Sequence, residues 1–95
     1  MPDEVSHGLR PDDWPPPSPV PIPEGCYLKS GDVEYLGFVH GSQRWRSRDE
    51  PRLYTWDRQH GHIELFNKRG RHLGVLDAFT GAMIGPPVPG RRIDV

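Results

Sequence analysis

Residues 52–76 read RLYTWDRQHGHIELFNKRGRHLGVL, and this stretch decides the fold. Three of its segments are rich in aromatic, branched and other strand-forming residues, and they lie at 52–56, 61–67 and 71–76. Polar turns separate them, and the second turn contains a glycine, as β-hairpin loops often do. The pattern predicts three consecutive antiparallel strands.

The chain on either side continues as short segments and turns. Residues 27–28 and 35–39 are predicted strands that flank a turn at 30–32, and a further turn is predicted at 80–81. No window is long enough to repeat an apolar face at helical spacing. We therefore predict a mainly β fold for residues 25–95: a small, strongly twisted antiparallel sheet of four to six strands, with at most one short helix.

The two ends of the chain are rich in proline. Seven of the thirteen residues 11–23 are proline, so this stretch has few backbone donors for a helix or sheet. We predict that residues 1–24 are an extended, acidic linker, an arm docked on the domain, or a proline motif that binds a partner. The prolines within 86–90 predict that strand pairing stops before the basic tail 91–95.

Length and composition exclude several classes of protein. A chain of 95 residues with one cysteine allows one small domain and no internal disulfide. Its longest apolar runs have three residues, whereas a membrane-spanning helix needs about 20. We therefore expect a soluble chain without a signal peptide or membrane span.

The formal net charge of −1 conceals a strong asymmetry. Residues 1–40 carry 2 basic and 7 acidic side chains, whereas residues 41–95 carry 10 basic and 6 acidic ones. Nine of those ten basic residues are arginine, whose planar guanidinium binds phosphate well. The basic half is consistent with a nucleic-acid partner contacted through its phosphates, and also with an ordinary solvated surface.

Four side chains able to transfer protons lie within eight residues: Asp57, His60, His62 and Glu64. Strand alternation places His62 and Glu64 on one face, which we expect to be solvent-facing. His60 joins the same row if the extended strand begins at this residue, whereas a bulge at Gly61 would re-aim its side chain. Cleavage of RNA by its own 2′-hydroxyl requires a base, an acid and a cation that stabilises the phosphorane. Histidine, glutamate and arginine supply these groups without a metal or cofactor.

Two other interpretations remain open at this point. In a noncatalytic β interaction module with a proline-rich arm, His60 would cap a turn and Glu64 would pair with an arginine across the hairpin. In a metal-dependent nuclease, His60 and His62 would bind zinc together with Asp57 or His72. No cysteine or further spaced carboxylate completes a recognisable zinc site, so we predict no metal.

A longer motif then gives the chain a family resemblance. The run Y-x-W-D-x-Q-H-G-x-x-E occupies residues 54–64. Trp45 precedes it, and it is followed in order by His72-Leu73-Gly74, Asp77, Thr80-Gly81, Gly85-Pro86 and Pro89-Gly90-Arg91. Over roughly residues 44–95 the chain resembles the cytotoxic ribonuclease domain of the E-group, ribosome-inactivating colicins. Residues 1–43 show no such resemblance.

The resemblance implies a bacterial toxin that enters the ribosomal A site and cuts small-subunit (16S) rRNA in the decoding centre, halting translation. Its essential groups fall on Asp57, His60, Glu64 and Arg91. We assign Glu64 as general base and His60 as general acid, although these two roles could be exchanged. Asp57 would orient His60, and Arg91 would stabilise the pentacovalent phosphate. The products would carry a 2′,3′-cyclic phosphate and a 5′-hydroxyl.

The remaining basic side chains near the motif are predicted to bind substrate. They are Arg58, His62, Lys68, Arg69, Arg71, His72 and Arg92. The chain departs from the family at His62, where the family has a second carboxylate, and it is less rich in lysine. His62 could assist proton transfer or phosphate binding in place of that acid, or be a plain surface residue. Another RNA, such as a transfer RNA, is an alternative target.

The resemblance also implies partners and a site of action. Such toxins are made with an acidic immunity protein that masks the basic surface. They are secreted or delivered from the producing bacterium and act in the cytoplasm of the target cell. The receptor-binding and translocation regions of the colicins are absent from this sequence. We therefore expect an excised toxin module or the tip of another delivery system.

Overall fold

The computed structural model describes residues 19–95, and this part of the chain is mainly β. Its strands are β1 Val33–Val39, β2 Ser42–Ser47, β3 Arg52–Asp57, β4 His62–Asn67, β5 His72–Leu76 and β6 Met83–Gly85. They form a six-stranded sheet in the order β1-β2-β3-β4-β5-β6, each antiparallel to the next. The predicted mainly β, antiparallel fold is therefore confirmed. No helix in the described residues is long and apolar enough to cross a membrane.

The elements differ from the prediction in three places. Residues 27–28, predicted as a strand, belong to a 3₁₀ turn, Tyr27–Lys29, in which the Ser30 N–H donates to the Tyr27 carbonyl. β2 was not predicted, because its sequence SQRWRS contains a single apolar residue. Its extended form comes from pairing with β1 on one side and β3 on the other. β6 has three residues, too few for a sequence pattern to mark.

One face of the sheet packs against the chain that precedes β1. The buried cluster consists of Cys26, Leu28, Val33, Trp45, Tyr54, Ile63, Leu65, Leu76 and Ala78. The 3₁₀ turn closes over this cluster, since the Tyr27 N–H donates to the Ala78 carbonyl at 2.7 Å and the Tyr27 ring meets Tyr54 edge-on at 6.1 Å. Each large apolar side chain buried here contributes roughly 1.5–3 kcal/mol.

The described end of the proline-rich region lies against the sheet. The Val20 N–H donates to the Arg58 carbonyl at 2.7 Å, and the Trp56 indole N–H donates to the Val20 carbonyl at 2.8 Å. Ile22 packs against the buried cluster. Residues 19–24 thus behave as a docked arm. The rest of the predicted linker or arm, with most of the proline motif, lies outside the described residues.

The basic tail lies against the sheet and pairs with it only through an isolated bridge, so regular strand pairing ends before the prolines, as predicted. Its backbone follows the start of β5: the His72 N–H donates to the Arg91 carbonyl at 3.1 Å, and the Ile93 N–H donates to the Gly70 carbonyl at 2.9 Å. Gly70 has a φ of +85°, and a Cβ at this position would collide with the Ile93 carbonyl oxygen. The prolines end β6, but beyond them the chain pairs again through an isolated bridge between Arg71 and Arg92.

The buried phenol of Tyr54 makes the fold sensitive to alkali. Burial, and then the neighbouring Tyr27, raise the pKa of Tyr54 from 10.0 to about 12. The stability that comes from the neutral phenol is complete below the unfolded-state pKa of 10.0 and is lost as pH rises through the folded-state value of about 12. We expect Tyr54→Phe to shift alkaline unfolding, followed by near-ultraviolet circular dichroism, to higher pH. Tyr35→Phe, at a half-exposed position, is the control, and equal midpoints for the two variants would contradict the assignment.

Candidate active site

The turn between β3 and β4 is built around one carboxylate. Asp57 ends β3 and lies opposite His62, which begins β4. Its Oδ1 accepts the backbone N–H groups of Gln59 at 3.0 Å and His60 at 3.2 Å. Its carbonyl accepts the N–H of Gly61 at 2.8 Å. Gly61 closes the turn at a φ of +73°, which glycine adopts without strain.

The same carboxylate holds the imidazole of His60. Asp57 Oδ2 lies 2.8 Å from His60 Nδ1. Burial on its own would raise the pKa of Asp57, but hydrogen bonds from the His60 side chain and from the His60 and Gln59 backbones outweigh it and hold that pKa below 3.8. Asp57 is therefore ionised near neutral pH and accepts the Nδ1 proton, which leaves Nε2 of His60 for a substrate. The half-exposed imidazole is open to solvent.

His60 and His62 share one side of the hairpin, as predicted. Their rings are nearly parallel, with an interplanar angle of 13° and centroids 6.4 Å apart. His60 belongs to the turn and not to an extended strand that begins at this residue. The left-handed conformation of Gly61 nevertheless leaves its ring beside that of His62.

Glu64 is buried, whereas the sequence predicted a solvent-facing position. It lies in β4, between Thr55 of β3 and Val75 of β5, and is only 8% exposed. Its Oε1 accepts hydrogen bonds from His72 Nε2 at 2.7 Å and from Arg91 Nη1 at 2.9 Å. Its Oε2 has no hydrogen-bond partner within residues 19–95. The carboxylate is thus fixed by one oxygen and open at the other.

His72 lies in the interior, although the sequence placed it among the substrate-binding residues. Its side chain has no solvent-exposed surface. Nδ1 accepts the Val88 backbone N–H at 2.9 Å, so Nε2 must carry the proton that is donated to Glu64. Val88 belongs to the proline-rich segment that was expected not to pair with the sheet, and so no sequence signal indicated this contact.

Arg91 reaches the site from the tail. The docked tail holds its backbone beside the start of β5, and its Nη1 bonds to Glu64 while about half of the side chain stays exposed. Docking of the tail therefore brings the guanidinium of Arg91 to Glu64.

These side chains, except that of His72, line one open groove of about 590 Å³. Its charged and polar lining includes Asp57, His60, His62, Glu64, Arg91 and Arg92. A second cavity, of about 830 Å³, lies between the β4–β5 turn and the tail, and Arg69, Arg71, His72, Arg91 and Arg92 contribute to it. Of the predicted substrate-binding residues, Arg58 and Lys68 line neither space.

The described residues place no three or more His, Cys, Asp and Glu side chains where they would hold a metal ion together. The zinc arrangement considered from the sequence needed Asp57 or His72 as a third ligand. Both nitrogens of His72 are occupied within the protein, by Glu64 and by the Val88 backbone.

One further arginine lies on the same face of the sheet as Glu64. Arg44 precedes the core residue Trp45 in β2, so alternation turns it to the face that carries Thr55 and Glu64. It is buried, and within residues 19–95 its Nε has no hydrogen-bond partner. Arg44 thus adds a buried positive charge on this face of the sheet.

Comparisons with known proteins identify the family. Residues 29–94 match the sequence model of the Cytotoxic family. Cloacin from Escherichia coli is 39% identical over 51 residues, which cover 53% of this chain and 9% of cloacin. Colicin E3 from Escherichia coli is 38% identical over 52 residues, which cover 54% of this chain and 9% of that protein.

The matches cover less than a tenth of the length of these relatives. The family match begins at residue 29, so the prediction that residues 1–43 lack resemblance is wrong for 29–43. The fold, the groove and the match over more than half of the sequence agree: the chain belongs to the Cytotoxic family, the ribonuclease domain of the E-group colicins.

Proposed function

We propose that this chain is a toxin endoribonuclease that enters the ribosomal A site and cleaves 16S rRNA in the decoding centre, which halts translation. The proposed reaction is a transesterification that needs no metal. The observation that carries the proposal is the pair of proton-transfer groups in one groove. Glu64 is held by His72 and Arg91 with one oxygen open, and the Asp57–His60 pair lies beside it.

The first half of the reaction uses Glu64 as the general base. Its open Oε2 takes the proton of the substrate 2′-hydroxyl while the 2′-oxygen attacks the adjacent phosphorus. Because Oε1 is already bound to two donors, the carboxylate cannot rotate away from the groove. Orientation of this kind supplies much of the rate enhancement in reactions with a bound nucleophile.

The second half uses His60 as the general acid. As the bond from phosphorus to the 5′-oxygen breaks, Nε2 of a protonated His60 gives its proton to that oxygen. Ionised Asp57 holds Nδ1 and stabilises the imidazolium before transfer. One fragment then ends in a 2′,3′-cyclic phosphate and the other begins with a 5′-hydroxyl.

Arg91 stabilises the negative charge that develops on the phosphorane. One of its terminal nitrogens bonds to Glu64, and the planar fork has further N–H groups that can engage phosphate oxygens. The same residue therefore orders the base and faces the phosphate.

The other basic residues are proposed to bind the flanking RNA backbone. Arg58, Lys68, Arg69, Arg71 and Arg92 are exposed, and His62 lies within the groove. Several of them line the second cavity. Arg91 and Arg92 of the tail line both this cavity and the groove. Contacts with phosphate release counterions, so binding of this kind weakens as salt increases.

The proposed setting is competition between bacteria. We propose that the toxin is delivered from a producing bacterium, as a colicin is, and acts in the cytoplasm of the target cell. The producing cell would be protected by an acidic immunity protein, whose charge complements the arginine-rich half of the chain.

The proposed function predicts cleavage of intact ribosomes by protein that has been treated with EDTA and dialysed before it is mixed with them. Gel analysis should show one discrete 3′ fragment of small-subunit RNA. His60→Ala and Glu64→Gln should each lower the single-turnover rate by about 10²–10⁴-fold, because each removes a proton-transfer group, while ribosome binding is retained.

Each alternative gives a different result in the same assay. Loss of cleavage after EDTA treatment of the protein, restored by added zinc, would indicate a metal-dependent nuclease. Cleavage confined to added transfer RNA would indicate another target. Absence of cleavage of either RNA would favour a noncatalytic module. A variant that keeps nearly the wild-type rate would remove that residue from the mechanism.

A second prediction separates two adjacent arginines in the tail. Arg91→Lys should retain most ribosome binding but lose much of the cleavage rate, because lysine keeps the charge and lacks the planar fork. Arg92 has no bond to Glu64, so Arg92→Lys should change the cleavage rate little. Equal single-turnover rates for the two variants would mean that the tail contributes charge alone, and Arg91 would lose its role at the transition state.

A further inference from the structure

The described end of the proline-rich arm contacts the turn that carries His60. Both backbone polar groups of Val20 are hydrogen-bonded. Its N–H donates to the Arg58 carbonyl at 2.7 Å, and its carbonyl accepts the Trp56 indole N–H at 2.8 Å. Trp56 and Arg58 are the two neighbours of Asp57 in sequence. The arm thus holds the chain immediately before and after the carboxylate that binds His60.

The side chain of Val20 contacts the far end of the same turn. Its Cγ1 lies 3.1 Å from the position that a Cβ on Gly61 would occupy. The valine therefore packs directly over the Gly61 backbone, beside His60. One residue of the arm touches the turn at both its beginning and its end.

The arm is suited to hold a fixed position. Pro19 and Pro21 flank Val20, so much of the backbone freedom that docking would remove is already absent. On the other side, Ile22 packs against the buried cluster. By contrast, residues 58–60 of the turn are exposed. Among residues 19–95, the other contacts that hold the turn are those of Asp57 and of the hairpin ladder.

We propose that Val20 is a positioning residue for catalysis and that residues 19–23 form a clamp on the turn 57–61. The clamp acts through Asp57 and His60, whose imidazole it keeps aligned with the bond to be broken. This inference rests on the proposed function, because alignment of His60 matters only if His60 transfers a proton. It also assigns this stretch to the catalytic unit, although it lies before the family match at 29–94.

The test replaces Val20 in the full chain. Val20→Gly removes the contact with Gly61 and loosens the arm while keeping both backbone hydrogen-bonding groups. We expect faster hydrogen exchange at the Gly61 amide and the Trp56 indole, followed by NMR. We also expect a single-turnover cleavage rate at saturating protein about 10-fold or more below wild type, with unchanged ribosome affinity, since small misplacements of catalytic groups have effects of this order.

Val39→Gly is the matched control. It makes the same change in the half-buried end of β1, next to the β1–β2 turn, and Val39 takes no part in the groove. We expect it to lower thermal stability without lowering the cleavage rate at a temperature where the protein is folded. An equal loss of rate in both variants would show that Val20 contributes only to stability, which would overturn the proposal.

Two other results would also overturn it. Unchanged exchange at Gly61 and Trp56 in Val20→Gly would mean that the arm does not hold the turn. Faster exchange with a wild-type cleavage rate would mean that holding the turn does not matter for His60. If the wild-type chain cleaves no RNA, the proposed function fails instead, and the exchange data alone then decide whether the clamp exists.

Discussion

The structure depends on one buried carboxylate. Glu64 accepts hydrogen bonds from a histidine 8 residues away and from an arginine 27 residues away. A buried carboxylate without partners would be strongly destabilising, so the two donors must be in place for this arrangement of the sheet to be favourable. The requirement connects the centre of β4, the start of β5 and the tail beyond β6.

Each of those connections needs a particular local structure. A shift in register at Leu65 and Phe66 offsets β5 against β4, which accommodates a histidine beside the carboxylate. Gly70 allows the tail to approach the β4–β5 turn, since a side chain there would collide with the Ile93 carbonyl. Val88 then fixes the proton of His72 on Nε2. The tail thus supplies both a guanidinium for the groove and the contact that sets the tautomer of its neighbour.

The two proton-transfer groups, His60 and Glu64, are positioned in different ways. This difference explains which features of the site could be predicted from the sequence. Asp57 and His60 are three residues apart in one turn, so their pairing follows from local sequence. The strand-forming segments of residues 52–76 and the polar turns between them likewise indicated β3, β4 and β5 closely. β2 has a polar sequence and becomes a strand only through its neighbours. The burial of Glu64, the role of His72 and the docking of Val20 depend on contacts between distant segments, which no local pattern encodes.

The most direct test of this account is the protonation of the His72 ring, measured by ¹⁵N NMR of the intact chain at neutral pH. The account predicts a neutral ring with its proton on Nε2 and an unprotonated Nδ1, held in one tautomer because Val88 and Glu64 bind its two nitrogens. The exposed His40 should show averaged tautomers in the same spectrum and serves as the internal control. A His72 ring protonated on Nδ1, or averaged like His40, would contradict the account.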